Sequence, residues 1–227
     1  MNHNIPVITI DGPGGSGKGT VSILLAKALH WHFLDSGVLY RVLALAAQQQ
    51  GTDFGDEKAL EHLAQQLDVR FIANPDDPTS RVILAGDDVT EAVRTEDCGN
   101  LASKISAFPA VRAALLDRQR AFRVPPGLVA DGRDMGTVIF PEAKLKVFLL
   151  ASPKERALRR YRQLKTKGIN VSLQEIQTEL KARDIRDETR TTAPLKPAEE
   201  AILIDTDGIG VDVIVERILS YYRRIFL

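Results

Sequence analysis

A chain of 227 residues, 44% hydrophobic and 26% charged, suits one α/β domain with insertions, or one domain with a small satellite. Its 30 Lys and Arg against 30 Asp and Glu give no support to a protein that coats nucleic acid or an anionic membrane, because such surfaces are met with net positive charge. A single cysteine, Cys98, rules out an internal disulfide, and the four histidines (His3, His30, His32 and His62) show no metal-ligand spacing. Cys98 reads as a small packing residue. The N-terminal residues lack the basic and apolar regions of a signal peptide, and no window approaches the ~18 apolar residues of a membrane span. The expected compartment is therefore the cytoplasm, with no membrane and no nucleic-acid partner.

In chain order, Val7-Ile8-Thr9-Ile10 is a β-branched run ended by Gly12, and Val21 to Leu29 predicts a helix that is apolar on most sides. Strand, glycine loop and buried helix open an α/β fold with a parallel sheet. His32-Phe33-Leu34 predicts a short strand broken by Asp35-Ser36-Gly37, and Leu39 to Ala47 a helix. An amphipathic helix follows over 56–67. Val69 to Ile72 and Arg81 to Leu84 are strand-like, parted by Asn74-Pro75-Asp76-Asp77-Pro78 with its turn chemistry. With Gly86 to Val89 they predict a small antiparallel insert near 68–93, outside the main sheet.

Two helical patterns cover 95–123, parted near Phe108-Pro109. Leu128-Val129-Ala130 is the next buried strand, running into Asp131-Gly132-Arg133-Asp134, and Leu145 to Leu150 the one after. Ser152 and Glu155 predict a capping box opening a strongly basic helix, and Ser172 and Glu175 another for a helix over 172–187. Ile202 to Asp205 is a last strand and Val211 to Phe226 a closing amphipathic helix.

The residues Gly12-Pro13-Gly14-Gly15-Ser16-Gly17-Lys18-Gly19-Thr20 carry the first chemistry. Glycines let backbone N–H groups turn inward around a phosphate, and the following helix adds its positive end. Lys18 supplies an ammonium for the transferring phosphates. The general pattern has Ser or Thr directly after the lysine; here Gly19 stands there and the hydroxyl comes from Thr20, whose part in holding magnesium is thereby open. Asp11, just before the loop, suits either a magnesium shell or a structural role.

A phosphate loop alone does not specify a kinase. Phosphoryl transfer needs alignment and positive charge around the moving group, for which the planar, permanently charged guanidinium is suited. Arg41 and Arg133 follow predicted strand ends; Arg156, Arg159, Arg160 and Arg162 crowd one helix and Arg183, Arg186 and Arg190 the next. These helices flank Lys165-Thr166-Lys167-Gly168, a hinge fit for a basic lid over 154–170. A solvated charged face is the alternative for those runs.

Gly12 to Thr20, Leu34-Asp35-Ser36-Gly37 with Tyr40-Arg41, Asp131-Gly132-Arg133-Asp134-Met135-Gly136-Thr137, and Arg183-Asp184-Ile185-Arg186-Asp187 through Arg190 together closely resemble the bacterial cytidylate kinases. The likeness runs in order over nearly the whole chain. It implies a P-loop α/β core with about five parallel strands, formed by 1–39 and 96–227, a monophosphate-binding region over 40–95, and the lid. It also implies ATP, with Mg²⁺ carried by the nucleotide, as donor, CMP or dCMP as acceptor, and a monomer.

Residue by residue, Gly12, Pro13, Gly14, Gly15, Ser16, Gly17, Lys18, Gly19 and Thr20, with Arg156 and Arg159, would hold ATP. Ser36, Arg41, Arg133, Asp187 and Arg190 would hold the ribose and phosphate of CMP, and Ser103, Arg112 and Asp134 would read the cytosine. Lys18, Arg133, Arg183, Asp187 and Arg190 would form the catalytic set. Other readings stay open for several: a plain turn for Ser36, a structural cap or a contact in the magnesium shell for Asp134, a surface helix position for Arg112, and simple pairing of Asp187 with Arg183 or Arg186. Trp31 and Tyr40 read as packing residues. The rival activities are a small P-loop kinase for UMP, AMP or shikimate, and a nucleotide switch without an acceptor.

Overall fold

A computed structural model describes residues 5–72, 80–166 and 168–227. The turn expected at 74–78 and Lys167 of the expected hinge lie outside the described residues. In chain order the elements are β1 (Val7–Asp11), α1 (Lys18–Leu29), β2 (His32–Asp35), α2 (Ser36–Gln49), α3 (Glu57–Gln65), β3 (Val69–Ile72), β4 (Arg81–Leu84) and β5 (Asp87–Asp88). After a short 3₁₀ turn come α4 (Glu96–Ile105), α5 (Pro109–Arg120), β6 (Leu128–Gly132), β7 (Leu145–Leu150), α6 (Pro153–Thr166), α7 (Leu173–Thr189), β8 (Ile202–Asp205) and α8 (Val211–Phe226).

Among the described residues, β2-β6-β1-β7-β8 form a five-stranded sheet whose neighbours all pair in parallel. Every residue of β1 and β6 is buried, as a parallel sheet covered on both faces requires. On one face Ile8, Ile10, Val129 and Val147 pack with Leu25 of α1 and Ile214 and Ile218 of α8. On the other, Val7, Leu34, Leu128 and Ala130 meet Met135, Ile139 and Phe140. The register sets Asp11 beside Gly132 and Asp35 beside Asp131, so the carboxyl ends of β1, β2 and β6 open at one level. That edge is where open α/β sheets bind ligands.

A second sheet, β3-β4-β5, is antiparallel and separate. It shares an apolar cluster with α2, α3, α4 and α5 that runs from Tyr40 to Leu115. Helices α6 and α7 form a hairpin around a small cluster of their own, Ala157, Leu164 and Ile176.

Several local expectations change. Helix α1 starts at Lys18, three residues before Val21, because Lys18, Gly19 and Thr20 are themselves its first turn. Helix α2 starts at Ser36: Asp35 is its N-cap, accepting from the Gly37 N–H at 2.9 Å, so Ser36 is a helical residue and not a turn residue. At α6 only half of the capping box forms. The Ser152 hydroxyl accepts from the Glu155 N–H at 3.2 Å, but the Ser152 N–H donates to Asp207 at 3.0 Å and the Glu155 carboxylate accepts from Arg159 at 2.9 Å. The Ser172–Glu175 box is complete.

After β6 the chain makes one π-type turn over Met135–Ile139, in which the Phe140 N–H donates to Met135 O at 2.7 Å. Asp11 anchors it: the carboxylate accepts from the N–H of Met135 at 2.9 Å and of Gly136 at 2.8 Å. Each carboxylate oxygen thus accepts from one backbone N–H, which gives Asp11 a structural role. Burial pushes the Asp11 carboxyl up to about 7, with the two N–H groups pulling the other way. We expect Asp11→Ala to cost about 2–4 kcal/mol, since two buried N–H groups lose their acceptor. Urea unfolding at neutral pH measures this, and a loss below ~0.5 kcal/mol would remove the anchor from the account.

Candidate active site

The phosphate loop leaves β1 and enters α1 through backbone only glycine takes easily. Gly12 has φ 153°, and a Cβ there would sit 2.5 Å from the Leu149 carbonyl oxygen of β7. Gly15, at φ 79°, lies against the backbone of Arg156 at the start of α6. The loop is therefore pinned between β7 and α6 before any ligand arrives. Lys18 reaches back over it, donating to Pro13 O at 3.3 Å. Burial, then the neighbouring Arg133, lowers its ammonium to about 8.

This loop forms one wall of a cleft of about 650 Å³. The opposite wall is cationic. Arg133, at the end of β6, donates from Nε to Asp187 of α7 at 2.9 Å. Burial alone would push the Asp187 carboxyl up, but Arg133, Arg183 and Arg190 together hold it below its ordinary value. Arg183 is depressed to about 10 by burial and by Arg133. Asp187 thus pairs with Arg133, not with Arg183 or Arg186 as the simpler reading had it. Ser36, Arg41, Lys18, Arg133, Arg183 and Arg190 all face this cleft. Arg41 is aimed there by Val93 O at 2.8 Å and Thr95 O at 2.9 Å, both of which accept from its Nη1.

Deeper in the cleft, Arg112 of α5 pairs with Asp134, both side chains almost wholly buried. Arg112 also donates to Ser106 O at 3.1 Å and lies over the Tyr40 ring, 5.6 Å from its centre. Arg190 approaches the other oxygen of Asp134 at 3.7 Å. Ser103 of α4 lines the same space. Arg112 is therefore not a surface helix position and Asp134 caps no helix through its side chain. The two are joined across 22 residues of sequence.

Two expected residues are placed differently. Arg156 does not reach the cleft: its guanidinium is buried behind the phosphate loop, donating to Gly14 O at 3.1 Å and forming a two-pronged pair with Asp184 at 3.0 and 2.6 Å. Arg159 lines the cleft, yet its N–H groups go to Ser16 O at 3.2 Å and to Thr206 O at 2.6 Å. Both arginines brace the outside of the loop. Arg160 instead crosses to Glu96 of α4 as an ion pair, tying α6 to the far side of the cleft.

The reading from residues overlooked Asp131. It lies near the carboxyl end of β6 beside Lys18, and burial raises its carboxyl to about 7 against the pull of Lys18. Its signal was available: a carboxylate ending an apolar strand next to a phosphate loop is a familiar metal-side residue in phosphoryl transfer. Thr20 is exposed at the same edge. Among the described residues no group of three or more His, Cys, Asp or Glu side chains gathers to hold a metal by itself. A carboxylate and a hydroxyl do fit Mg²⁺ that keeps phosphate and water ligands of its own. Cys98 is buried and donates to Arg41 O at 3.2 Å, in keeping with a packing role. Among the described residues no helix is long and apolar enough to cross a membrane.

A family model described as cytidylate kinase matches residues 8–224. The chain is 58% identical over 220 residues to the cytidylate kinase of Pseudomonas fluorescens (strain Pf0-1), covering 97% of this chain and 96% of that one. It is 55% identical over 221 residues to that of Nitrosococcus oceani, covering 97% of each. For Shewanella denitrificans the figure is 52% over 223 residues, covering 98% of each.

The charge pattern sets a titration. The neutral amine of Lys18 is favoured by burial and by neighbouring guanidiniums; an anion in the loop reverses that preference. NMR of the Lys18 side chain in the free protein should give a midpoint near 8, moving upward when inorganic tripolyphosphate is added. A free-protein midpoint at the ordinary lysine value of ~10.4 would contradict the burial argument.

Proposed function

The chain belongs to the cytidylate kinase family, and we propose that it moves the γ-phosphate of ATP onto CMP and dCMP by direct in-line transfer. The observation that carries this reading is a buried donor–acceptor pair, Arg112 with Asp134, facing the same cleft as a phosphate loop. Cytosine presents a donor amino group beside two acceptors. An ionised Asp134 only accepts and Arg112 only donates, so the pair complements cytosine. Uracil exchanges donor and acceptor along that edge, leaving a buried carboxylate against a carbonyl. Mismatches of this kind reject a substrate by ~10⁴-fold.

In this reading Gly12 to Thr20 hold the triphosphate, and Ser36, Arg41, Arg133, Asp187 and Arg190 hold the ribose and phosphate of the acceptor. The acceptor phosphate oxygen is already a nucleophile, so no general base is needed. Lys18, Arg133, Arg183 and Arg190 stabilise charge on the transferring group, from positions already fixed by Asp187 and by the loop. Asp131 and Thr20 would hold Mg²⁺ arriving with ATP, which would neutralise phosphate charge. Residues 40–95 serve as the monophosphate-binding region and 154–170 as the lid, whose closure excludes water. Arg156 and Arg159 then act on ATP chiefly through the loop they brace. The enzyme works on free nucleotides as a cytoplasmic monomer, in keeping with its balanced charge.

Steady-state phosphorylation across CMP, dCMP, UMP, AMP and shikimate tests this. CMP and dCMP should lead UMP by more than tenfold in kcat/KM, whereas a tenfold preference for UMP, or ATP turnover indifferent to every acceptor, would overturn it. Lys18→Ala should slow transfer to all acceptors by ~10²–10³-fold, the scale of losing one charge-stabilising donor. Asp134→Asn should act chiefly through CMP, lowering its kcat/KM by at least tenfold while the KM for ATP stays near that of the unaltered protein. A uniform loss in both substrates would argue against base reading.

A further inference from the structure

Helix α7 places Arg183, Arg186 and Asp187 on one face, three and four residues apart, with Arg190 as its C-cap just beyond. Three of these belong to the phosphate and ribose side of the cleft as described above. Arg186 does something different. Its Nε donates to the Ser103 hydroxyl on α4 at 3.2 Å, and among the described residues no carboxylate forms an ion pair with it. Ser103 is buried, and its carbonyl accepts from the Ser106 hydroxyl at 2.9 Å, while Ser106 O accepts from Arg112. Ser103 is thus wired at its backbone to Arg112 and at its side chain to α7.

A free serine hydroxyl discriminates poorly between bases. It carries one donor and two acceptor sites and rotates to suit either partner. A guanidinium on one lone pair narrows that freedom: the hydroxyl proton turns away from the donor that faces it, and one acceptor site is left where there were two. Among the described residues no acceptor is bonded to the Ser103 proton, so it is available to the cleft. The ring nitrogen at position 3 accepts in cytosine and carries a hydrogen in uracil. A hydroxyl held as a donor favours the first.

We propose that Arg186 is a positioning residue for base discrimination, fixing the Ser103 hydroxyl as a donor toward cytosine and making that contact depend on α7 being docked against α4. The proposal rests on the reading of Ser103 as a base contact. It adds that the lever for this contact lies on the helix that also carries Arg183 and Asp187 and ends at Arg190. Seating the phosphate-side residues and arming the base-side hydroxyl then become one event.

The test is the ratio of kcat/KM for CMP to that for UMP. Arg186→Met keeps the apolar stem and removes the donor. It should lower the ratio about tenfold, with the KM for ATP unchanged. Ser103→Ala should lower the ratio to a similar extent, and the double variant no further, because both remove one contact. If Arg186→Met fails to give a native thermal melt, Arg186→Gln, too short to reach in the same way and uncharged, makes the same comparison. A merely structural role predicts equal losses for CMP and UMP, or losses that multiply in the double variant; either result overturns the proposal. An unaltered protein that does not prefer CMP would instead sink the underlying reading of the cleft.

Discussion

Crowding several cations into one poorly hydrated cleft is unfavourable unless something opposes it, and this protein opposes it with carboxylates. Asp187 holds Arg133 and Asp134 holds Arg112, with Arg190 nearby. Asp131 faces Lys18. Even so, Lys18 and Arg183 remain depressed, to about 8 and about 10, so the compensation is incomplete. What remains is an attraction for anions that is built before they arrive. Polar groups held in advance spend little reorganisation at the moment of reaction.

The scaffold exists to keep those charges on station. The carboxyl ends of β1, β2 and β6 set Asp11, Asp35 and Asp131 at one level. Asp11 fixes the π-type turn that follows Asp134, so the residue proposed to read the base hangs from the first strand of the sheet. The phosphate loop is clamped from behind by Arg156 and Arg159, whose donors go to Gly14 O, Ser16 O and Thr206 O. Both arginines, which read in sequence as reaching for nucleotide, thus also hold the shape of the loop.

Much of this was legible in the residues because local signals agreed with the global fold. The apolar runs at Val7, Leu128, Leu145 and Ile202 are strands where their β-branched and buried character places them. The Ser172–Glu175 box forms as its spacing predicts. Legibility failed where tertiary contacts outbid local chemistry. Glycines at 17 and 19 hid the first turn of α1, which is stabilised by the packed loop and not by helix propensity. Asp207, distant in sequence, took the Ser152 N–H that Glu155 was expected to bond. The joining of Arg112 to Asp134, and of Arg186 to Ser103, is a product of helix packing that no spacing encodes. Asp131 is legible as a carboxylate following the apolar run Leu128 to Ala130, but its nearness to Lys18 comes from the sheet and not from spacing.

The central claim is that one cleft holds a triphosphate tail and a cytosine-bearing monophosphate facing each other. A single molecule with adenosine and cytidine joined by five phosphates spans both halves, and calorimetry with it is the most direct measurement. The account predicts one site per chain, affinity well above that for ATP or CMP alone, displacement of both, and weaker binding when uridine replaces cytidine. Binding no tighter than ATP alone, or indifference to the pyrimidine, would contradict it.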